Sequence, residues 1–151
     1  MEYIAKNIKK TQKFAREIAK TLKKNDLMFI NGDLGAGKSV FCRETIRFLS
    51  KNHDLDVPSP TFTLVQTYDT DAFPISHYDL YRLEDPDDLY ELAWEDSLAD
   101  GLTLVEWPEK LGHLKPVNRS VMHVYIEMIE GAPDARKITV TYSGSSNEEA
   151  E

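Results

Sequence analysis

Residues 32–39 read Gly32-Asp33-Leu34-Gly35-Ala36-Gly37-Lys38-Ser39, which fits the phosphate-binding pattern G-x-x-x-x-G-K-[ST] at every fixed position. Glycines let backbone N–H groups turn toward phosphate oxygens, where a Cβ atom would block the approach. The pattern predicts that Lys38 places its ammonium group between the β- and γ-phosphates of a nucleotide, and that Ser39 offers its hydroxyl to Mg²⁺. The predicted phosphate cradle comprises Asp33, Leu34, Gly35, Ala36, Gly37, Lys38, Ser39 and the following Val40.

Both flanks of this loop have the character that the motif requires. The run Leu27-Met28-Phe29-Ile30 is short and apolar, as expected of a buried strand. Residues 40–49 contain no Pro or Gly and predict a helix that begins at Lys38, whose positive dipole end would face the same anion. Its predicted inner face comprises Val40, Thr45, Phe48 and Leu49. The alternative is a plain glycine turn with a solvated lysine. Such a turn would not need a strand before it and a helix after it, so the two flanks favour the phosphate-binding loop.

Length and composition indicate one globular domain. The chain has 151 residues, of which 41% are hydrophobic and 29% charged, and it contains no run of 18 apolar residues. Its single cysteine, Cys42, excludes an internal disulfide and favours a reducing, cytoplasmic location. The net charge of −8 argues against tight, independent binding to nucleic acid.

The pattern along the chain predicts an α/β fold, a three-layer P-loop NTPase-like domain with a mixed central sheet and β-hairpins. Strands are predicted within residues 2–8, 27–31, 61–68, 74–81, 102–105, 120–130 and 136–142. Helices are predicted over 11–24 with Thr11 as N-cap, over 38–51, and from an N-cap at Asp85 to about residue 100. We expect residues 1–144 to form the domain and residues 145–151 to be an acidic, disordered tail.

Two acidic residues are candidates for the chemistry that a phosphate loop alone does not supply. Glu106 follows the apolar strand 102–105, which favours the position of a Walker B acid; the alternative is a solvated carboxylate at a strand end. Asp79 stands in an otherwise apolar or aromatic strand, where a carboxylate is costly unless it is paired or bound to metal. His77 lies on the same strand face, and a structural hydrogen bond is the favoured interpretation for it.

Two further residues are candidates for the edge of the site. Thr61 follows Ser59-Pro60, whose stiff backbone would hold it in one orientation, as in threonines that sense a γ-phosphate through Mg²⁺. Trp107 follows Glu106, and it either shields the site from water or belongs to the core.

Four stretches together resemble the TsaE family, the small P-loop ATPases of bacterial tRNA threonylcarbamoyladenosine synthesis. They are the phosphate loop, Ser59-Pro60-Thr61-Phe62-Thr63-Leu64-Val65, His77-Tyr78-Asp79-Leu80-Tyr81-Arg82-Leu83, and Val105-Glu106-Trp107-Pro108-Glu109-Lys110-Leu111. The resemblance covers about residues 1–142. Many P-loop proteins share the first stretch, but the four in this order are specific.

The resemblance implies binding of ATP or ADP with Mg²⁺, slow hydrolysis, and work inside a complex with TsaD-like and TsaB-like subunits, through which tRNA is met only indirectly. By its motifs, Lys38 binds phosphate, while Ser39, Asp79 and Glu106 serve the Mg²⁺ site or the attacking water. Thr61 is the switch-like residue and Trp107 lies at the edge of the site. The chain departs from the family at Val40, where many members repeat a hydroxyl residue, and at Ala93-Trp94, where Leu-Gly is common.

Two other functions remain open from the sequence. A small-molecule or nucleoside kinase would need a lid and usually several arginines near the phosphates, whereas only Arg82 and Arg119 lie between the second motif and the final hairpin. A nucleotide-dependent scaffold that hardly turns ATP over would differ from an ATPase mainly in rate.

Overall fold

The computed structural model describes residues 1–144, and the predicted acidic tail, residues 145–151, lies outside them. Seven strands form one sheet: β1 (Glu2–Ala5), β2 (Leu27–Asn31), β3 (Val65–Tyr68), β4 (Ile75–Asp79), β5 (Leu102–Glu106), β6 (Val121–Ile129) and β7 (Ala132–Ser143). The helices are α1 (Ile8–Ala19), α2 (Lys38–Ser50) and α3 (Trp94–Asp100), with 3-10 segments at Pro86–Leu92 and Pro108–Leu114.

The sheet is mixed, with strand order β1-β7-β6-β2-β5-β4-β3. Its centre is parallel, since β2 pairs with both β5 and β6, and β5 pairs with β4, all in the same direction. The outer pairs β3–β4, β6–β7 and β1–β7 are antiparallel. The parallel centre brings the carboxyl ends of β2, β4 and β5 to one edge of the sheet, which is where α/β proteins bind ligands.

Two separate hydrophobic clusters make the fold three-layered. On one face, Met28 and Ile30 of β2 pack with Phe14 of α1 and Phe41 of α2. On the other face, alternate residues of the same strand, such as Phe29, pack with Leu89, Trp94 and Leu111 from the short helical segments. A strand that is buried on both faces reads as a continuous apolar run, which is why Leu27–Ile30 could be identified. The predicted fold class is confirmed.

The first two helices differ from expectation in detail. The N-cap of α1 is Asn7, whose side chain accepts a hydrogen bond from the backbone N–H of Lys10, and the predicted cap Thr11 lies buried inside the helix. That helix ends at Ala19 rather than near residue 24. The buried residues of α2 include Phe41, Cys42, Thr45 and Ile46. Of the predicted inner face, Thr45 is buried and Leu49 is partly buried against the first hydrophobic cluster, whereas Val40 and Phe48 were wrong.

The middle of the chain is more broken than predicted. Residues 61–64 form a turn, closed by a hydrogen bond from the Leu64 N–H to the Pro60 carbonyl, so β3 begins only at Val65. The acidic helix starts as predicted with Asp85 as N-cap but divides at Ala93, whose φ of 59° is a left-handed conformation that favours glycine. The divide turns Trp94 inward, where its ring meets Tyr78 edge to face at 5.0 Å.

Both predicted hairpins are present, although the second turn is shorter than expected. Strand β7 begins at Ala132, so the turn after β6 occupies little more than Glu130 and Gly131. Gly131 has a φ of 82°, which a tight turn there requires. No helix within residues 1–144 is long and apolar enough to cross a membrane.

Candidate functional site

A cleft of about 420 Å³ opens at the carboxyl edge of β2, β4 and β5. It is lined by Leu34, Gly35, Gly37, Lys38, Ser39, Val40, Ser59, Thr61, Asp79, Tyr81, Glu106 and Trp107. The first three belong to the loop between β2 and α2, and the next three are the first residues of α2. Asp79 and Glu106 are the last residues of β4 and β5, opposite each other in the parallel register. The edge therefore gathers residues from widely separated parts of the chain.

The loop before α2 has the backbone shape of an anion cradle. Gly35 and Gly37 have φ values of 80° and 110°, which side-chain-bearing residues rarely adopt. Gly32 lies so close to β6 that a Cβ atom there would come within 2.7 Å of the Ile126 carbonyl oxygen. Helix α2 begins directly after Gly37, so its first amide groups and its positive dipole end face the cleft.

Lys38 is buried at the floor of this cradle. Its Nζ atom donates to the carbonyl oxygens of Gly32 at 2.6 Å and Asp33 at 2.8 Å, and it lies 4.2 Å from the centre of the Trp107 ring. Burial lowers the pKa of the Lys38 ammonium below its ordinary value, while the negative charges of Glu106 and Asp79 act in the opposite direction. The ammonium is thus held by neutral carbonyls and an aromatic face, close to two carboxylates.

Asp79 is held by hydroxyl groups from the segment before β3. Its Oδ2 atom accepts a hydrogen bond from Thr61 at 2.9 Å and from Ser59 at 3.4 Å, and its Oδ1 atom accepts from the backbone N–H of Tyr81 at 3.1 Å. The residue is buried, so these bonds offset the cost of keeping its carboxylate away from water. The turn over residues 61–64 is what brings Thr61 across to β4.

Two buried side chains lie against Glu106. His77 Nε2 lies 2.7 Å from Glu106 Oε2, and the Cys42 Sγ atom lies within 4.8 Å of the Glu106 carboxylate. Burial, and then the charge of Glu106, raise the pKa of Cys42 well above its ordinary value, so the thiol remains protonated. The structure confirms the structural hydrogen bond predicted for His77. The partner in that bond is Glu106, the candidate Walker B acid.

Of the remaining residues predicted for the site, Trp107 lines the cleft, whereas Asp33 and Ala36 lie beside it. Trp107 satisfies both of its interpretations, because it lines the cleft and also packs against the second hydrophobic cluster. Asp33 and Ala36 do not line the cleft: they border a neighbouring hollow beside β6, and Ala36 is buried. Asp33 still contributes to the site through its carbonyl, which accepts from Lys38.

The sequence analysis missed Arg136 of β7 as a partner of the loop. Its Nε atom donates to the Ala36 carbonyl at 2.7 Å, and one terminal nitrogen lies 3.4 Å from the Gly35 carbonyl. The two elements are about a hundred residues apart in sequence. No local pattern could have indicated this contact. Ser59 and Cys42 were missed as partners of the two acids for the same reason.

Comparisons with known proteins agree on one family. The family model described as "Threonylcarbamoyl adenosine biosynthesis protein TsaE" matches residues 5–138. Several relatives carry the name tRNA threonylcarbamoyladenosine biosynthesis protein TsaE. The Rickettsia felis protein is 45% identical, covering 84% of this chain and 72% of its own length. The Rickettsia prowazekii protein is 50% identical, covering 70% and 73%. The Aquifex aeolicus protein is 38% identical, covering 72% and 77%.

Among solved structures, the crystal structure of Bacillus subtilis YdiB matches this fold with a TM-score of 0.73 at 26% identity, and the match covers 99% of this chain and 89% of YdiB.

Proposed function

This chain belongs to the TsaE family and so has a role in tRNA threonylcarbamoyladenosine biosynthesis, and from that premise we propose that it binds ATP with Mg²⁺ and hydrolyses it slowly. The observation that carries the proposal is the single cleft in which the glycine-rich loop, the ammonium of Lys38 and the carboxylates of Asp79 and Glu106 meet. A nucleotide triphosphate needs backbone amides, a cation and metal ligands at one place, and the cleft supplies all three.

The donor atoms fit magnesium. Ser39, Asp79 and Glu106 offer a hydroxyl and two carboxylates along the cleft, and Mg²⁺ prefers such oxygen ligands, commonly few from the protein, together with phosphate oxygens and water. Bound there, the ion would supply neutralisation of the charge that develops on the β- and γ-phosphates. We propose that Ser39 is one protein ligand of the ion and that one of the two acids, Asp79 or Glu106, is the other.

The side chains of the cleft then have distinct roles. Lys38 exchanges the carbonyls of Gly32 and Asp33 for phosphate oxygens, which keeps its ammonium paired throughout. Glu106 or Asp79 orients the attacking water, and Thr61, now bonded to Asp79, is positioned to respond to the γ-phosphate. Trp107 covers Lys38 and excludes water from it. Slow turnover is supported by Glu106, whose carboxylate is already engaged by His77.

We further propose that the protein works with TsaD-like and TsaB-like subunits and meets tRNA through them. The net charge of −8 supports an indirect encounter, because independent binding to RNA relies on many phosphate contacts from basic side chains. ATP hydrolysis in this arrangement would reset the complex between rounds of modification and would not touch the transferred group.

Two variants test the assignment of roles. Lys38→Ala should abolish ATP binding or hydrolysis, because the variant loses the only ammonium that lines the cleft as the structure describes it. Glu106→Ala should spare binding more than turnover. Nucleotide affinity by titration calorimetry and phosphate release measured on both variants separate the two effects. Equal loss of affinity in both would contradict the roles.

A second experiment tests the biological role. The protein is mixed with TsaD-like and TsaB-like subunits and with unmodified tRNA, with and without ATP. We expect ATP to promote association and repeated rounds of modification, and Lys38→Ala to fail at both. Repeated rounds without phosphate release would favour the scaffold, and phosphorylation of a small molecule would favour the kinase.

A further inference from the structure

Beneath the phosphate cradle, three potential metal ligands converge from three different elements. They are Cys42 of α2, His77 of β4 and Glu106 of β5, and one ligand atom from each lies within 4.8 Å of the other two. All three residues are essentially inaccessible to solvent, at 0%, 1% and 1% exposure. Such a cluster of sulfur, nitrogen and oxygen donors is not needed for magnesium, since magnesium prefers oxygen alone.

The donor set is that of zinc. Zinc takes Cys sulfur, His nitrogen and carboxylate oxygen in tetrahedral sites, at distances of about 2.0 to 2.3 Å, and open sites use three protein ligands with a fourth position left for water or substrate. Nitrogen and oxygen ligands at about 2.0 to 2.2 Å from a tetrahedral ion lie roughly 3.3 to 3.6 Å apart. The His77–Glu106 contact of 2.7 Å would therefore have to widen by less than an ångström to admit the ion.

The cluster has both an entry path and an adaptable ligand. Glu106 lines the cleft and also belongs to the cluster, so an ion would approach the cluster from the cleft. His77 Nε2 bonds Glu106, and His77 Nδ1 is buried with no hydrogen-bond partner among residues 1–144, so no hydrogen bond outside the cluster holds this ring. Nothing in the proposed ATP chemistry uses this nitrogen or the Cys42 thiol.

We propose that Cys42, His77 and Glu106 form a Zn²⁺ site, and that zinc bound there withdraws Glu106 from the nucleotide reaction. Coordination replaces the thiol proton, which leaves to solvent. The thiolate and the carboxylate then balance the charge of the ion, and His77 binds as a neutral ring. The binding stands by itself, whereas the inhibition rests on the proposed function.

Cobalt is the direct probe of the site, because Co²⁺ replaces Zn²⁺ and gives a thiolate-to-metal charge-transfer band in the near ultraviolet. We expect the purified full-length protein to show this band with Co²⁺, to lose it when Zn²⁺ is added, and to keep it in excess Mg²⁺. Cys42→Ser should lose the band and weaken Zn²⁺ binding by more than the roughly 10–100-fold that changes beyond the direct ligands cause. His77→Asn is the second variant, should the first fail to fold. His113→Asn is the matched control, since His113 is exposed and pairs with Asp87.

The outcomes of these measurements test the zinc site independently of the proposed ATPase activity. Absence of the band from the wild-type protein overturns it, as does a band that persists in Cys42→Ser. In ATP hydrolysis, added Zn²⁺ should lower the wild-type rate relative to its own zinc-free rate and leave that ratio near one in Cys42→Ser. Equal inhibition of both proteins overturns the inhibitory role. A cobalt band in a protein that never hydrolyses ATP would support the zinc site and refute the proposed function.

Discussion

The fold positions the buried ammonium group of Lys38 through contacts within the protein, without a ligand. Its ammonium is buried, yet it is saturated by two backbone carbonyls of its own loop and by the Trp107 ring. Burial disfavours the charged form, and the two nearby carboxylates only partly offset that effect, so the pKa of Lys38 lies below its ordinary value. Phosphate groups bound beside it would raise that pKa again.

The pH dependence of nucleotide binding follows from this shift. If the ligand raises the pKa of Lys38, binding takes up a proton wherever the free lysine is partly neutral. Affinity should therefore be greatest below the lowered pKa and should fall as the pH rises through it. Titration calorimetry in alkaline buffers of different ionisation enthalpy measures the uptake directly. Proton release, or an affinity that increases with alkaline pH, would contradict this account.

Arg136 should be a positioning residue for the phosphate loop. Its guanidinium bonds the carbonyls of Ala36 and Gly35, and removing it frees a loop that must be ordered to hold phosphates. Arg136→Ala should weaken nucleotide binding by about tenfold, since a net hydrogen bond is worth roughly 1 kcal/mol and 1.4 kcal/mol is a factor of ten.

Lys137→Ala is the matched control for that variant. It removes the neighbouring cation of β7, which pairs with Glu2 at 3.6 Å on the surface. Its nucleotide affinity should be unchanged, because exposed ion pairs contribute little. If both variants bind nucleotide equally well, the loop does not depend on Arg136.

At the scale of residues, the sequence could predict those site candidates that a short, local sequence pattern identifies. Lys38 and Ser39 are fixed by the spacing of one motif, and Glu106 stands at the end of one apolar run. The partners of those residues could not be predicted from local pattern, since Cys42, His77 and Glu106 meet only when α2, β4 and β5 pack together. A hydrogen bond between distant elements leaves no periodicity in the sequence.

At the scale of elements, Tyr78 joins the sheet to the divided acidic helix. Its hydroxyl donates to the Leu92 carbonyl at 2.9 Å and shares a hydrogen bond of 3.0 Å with Ser97. Tyr78→Phe should lower the free energy of unfolding by about 1–2 kcal/mol, because two partly buried groups lose their partner. Denaturant titration measures the difference.

Tyr68→Phe makes the same chemical change without the same contacts. The Tyr68 hydroxyl is buried and has no hydrogen-bond partner among residues 1–144. Its removal should leave stability unchanged within about 0.5 kcal/mol or increase it, because an unpaired buried polar group is unfavourable. Equal destabilisation by both substitutions would show that the hydrogen bonds of Tyr78 are not what anchors the acidic segment.

The errors in element prediction have particular causes. Asn7 and Thr11 are both good N-cap types, but the structure caps the helix at Asn7 and buries Thr11 one turn inside it. The break at Ala93 was missed because alanine favours helix, whereas tertiary packing of Trp94 on Tyr78 holds Ala93 in a left-handed conformation. Residues 61–64 look like a strand but turn, so that Thr61 reaches Asp79.

For the whole molecule, the order of strands is what creates the site. The central position of β2 places the phosphate loop beside β5 and one strand from β4, so the loop faces both acids. Alternation of strands and helices predicted the three layers, but it does not specify which strands are neighbours. The pairing of β2 with β6 on its other side also places Arg136 of β7 near the loop.

The central claim is that this edge of the sheet is a magnesium-dependent ATP site. Its most direct measurement is the affinity for ATP by titration calorimetry, with and without Mg²⁺, in the wild-type protein and in Asp79→Asn. We predict that Mg²⁺ strengthens ATP binding to the wild-type protein, and that most of this gain is lost in the variant, whose amide keeps the shape but not the charge of Asp79. No ATP binding by the wild-type protein, or an equal effect of Mg²⁺ on both proteins, would contradict the claim.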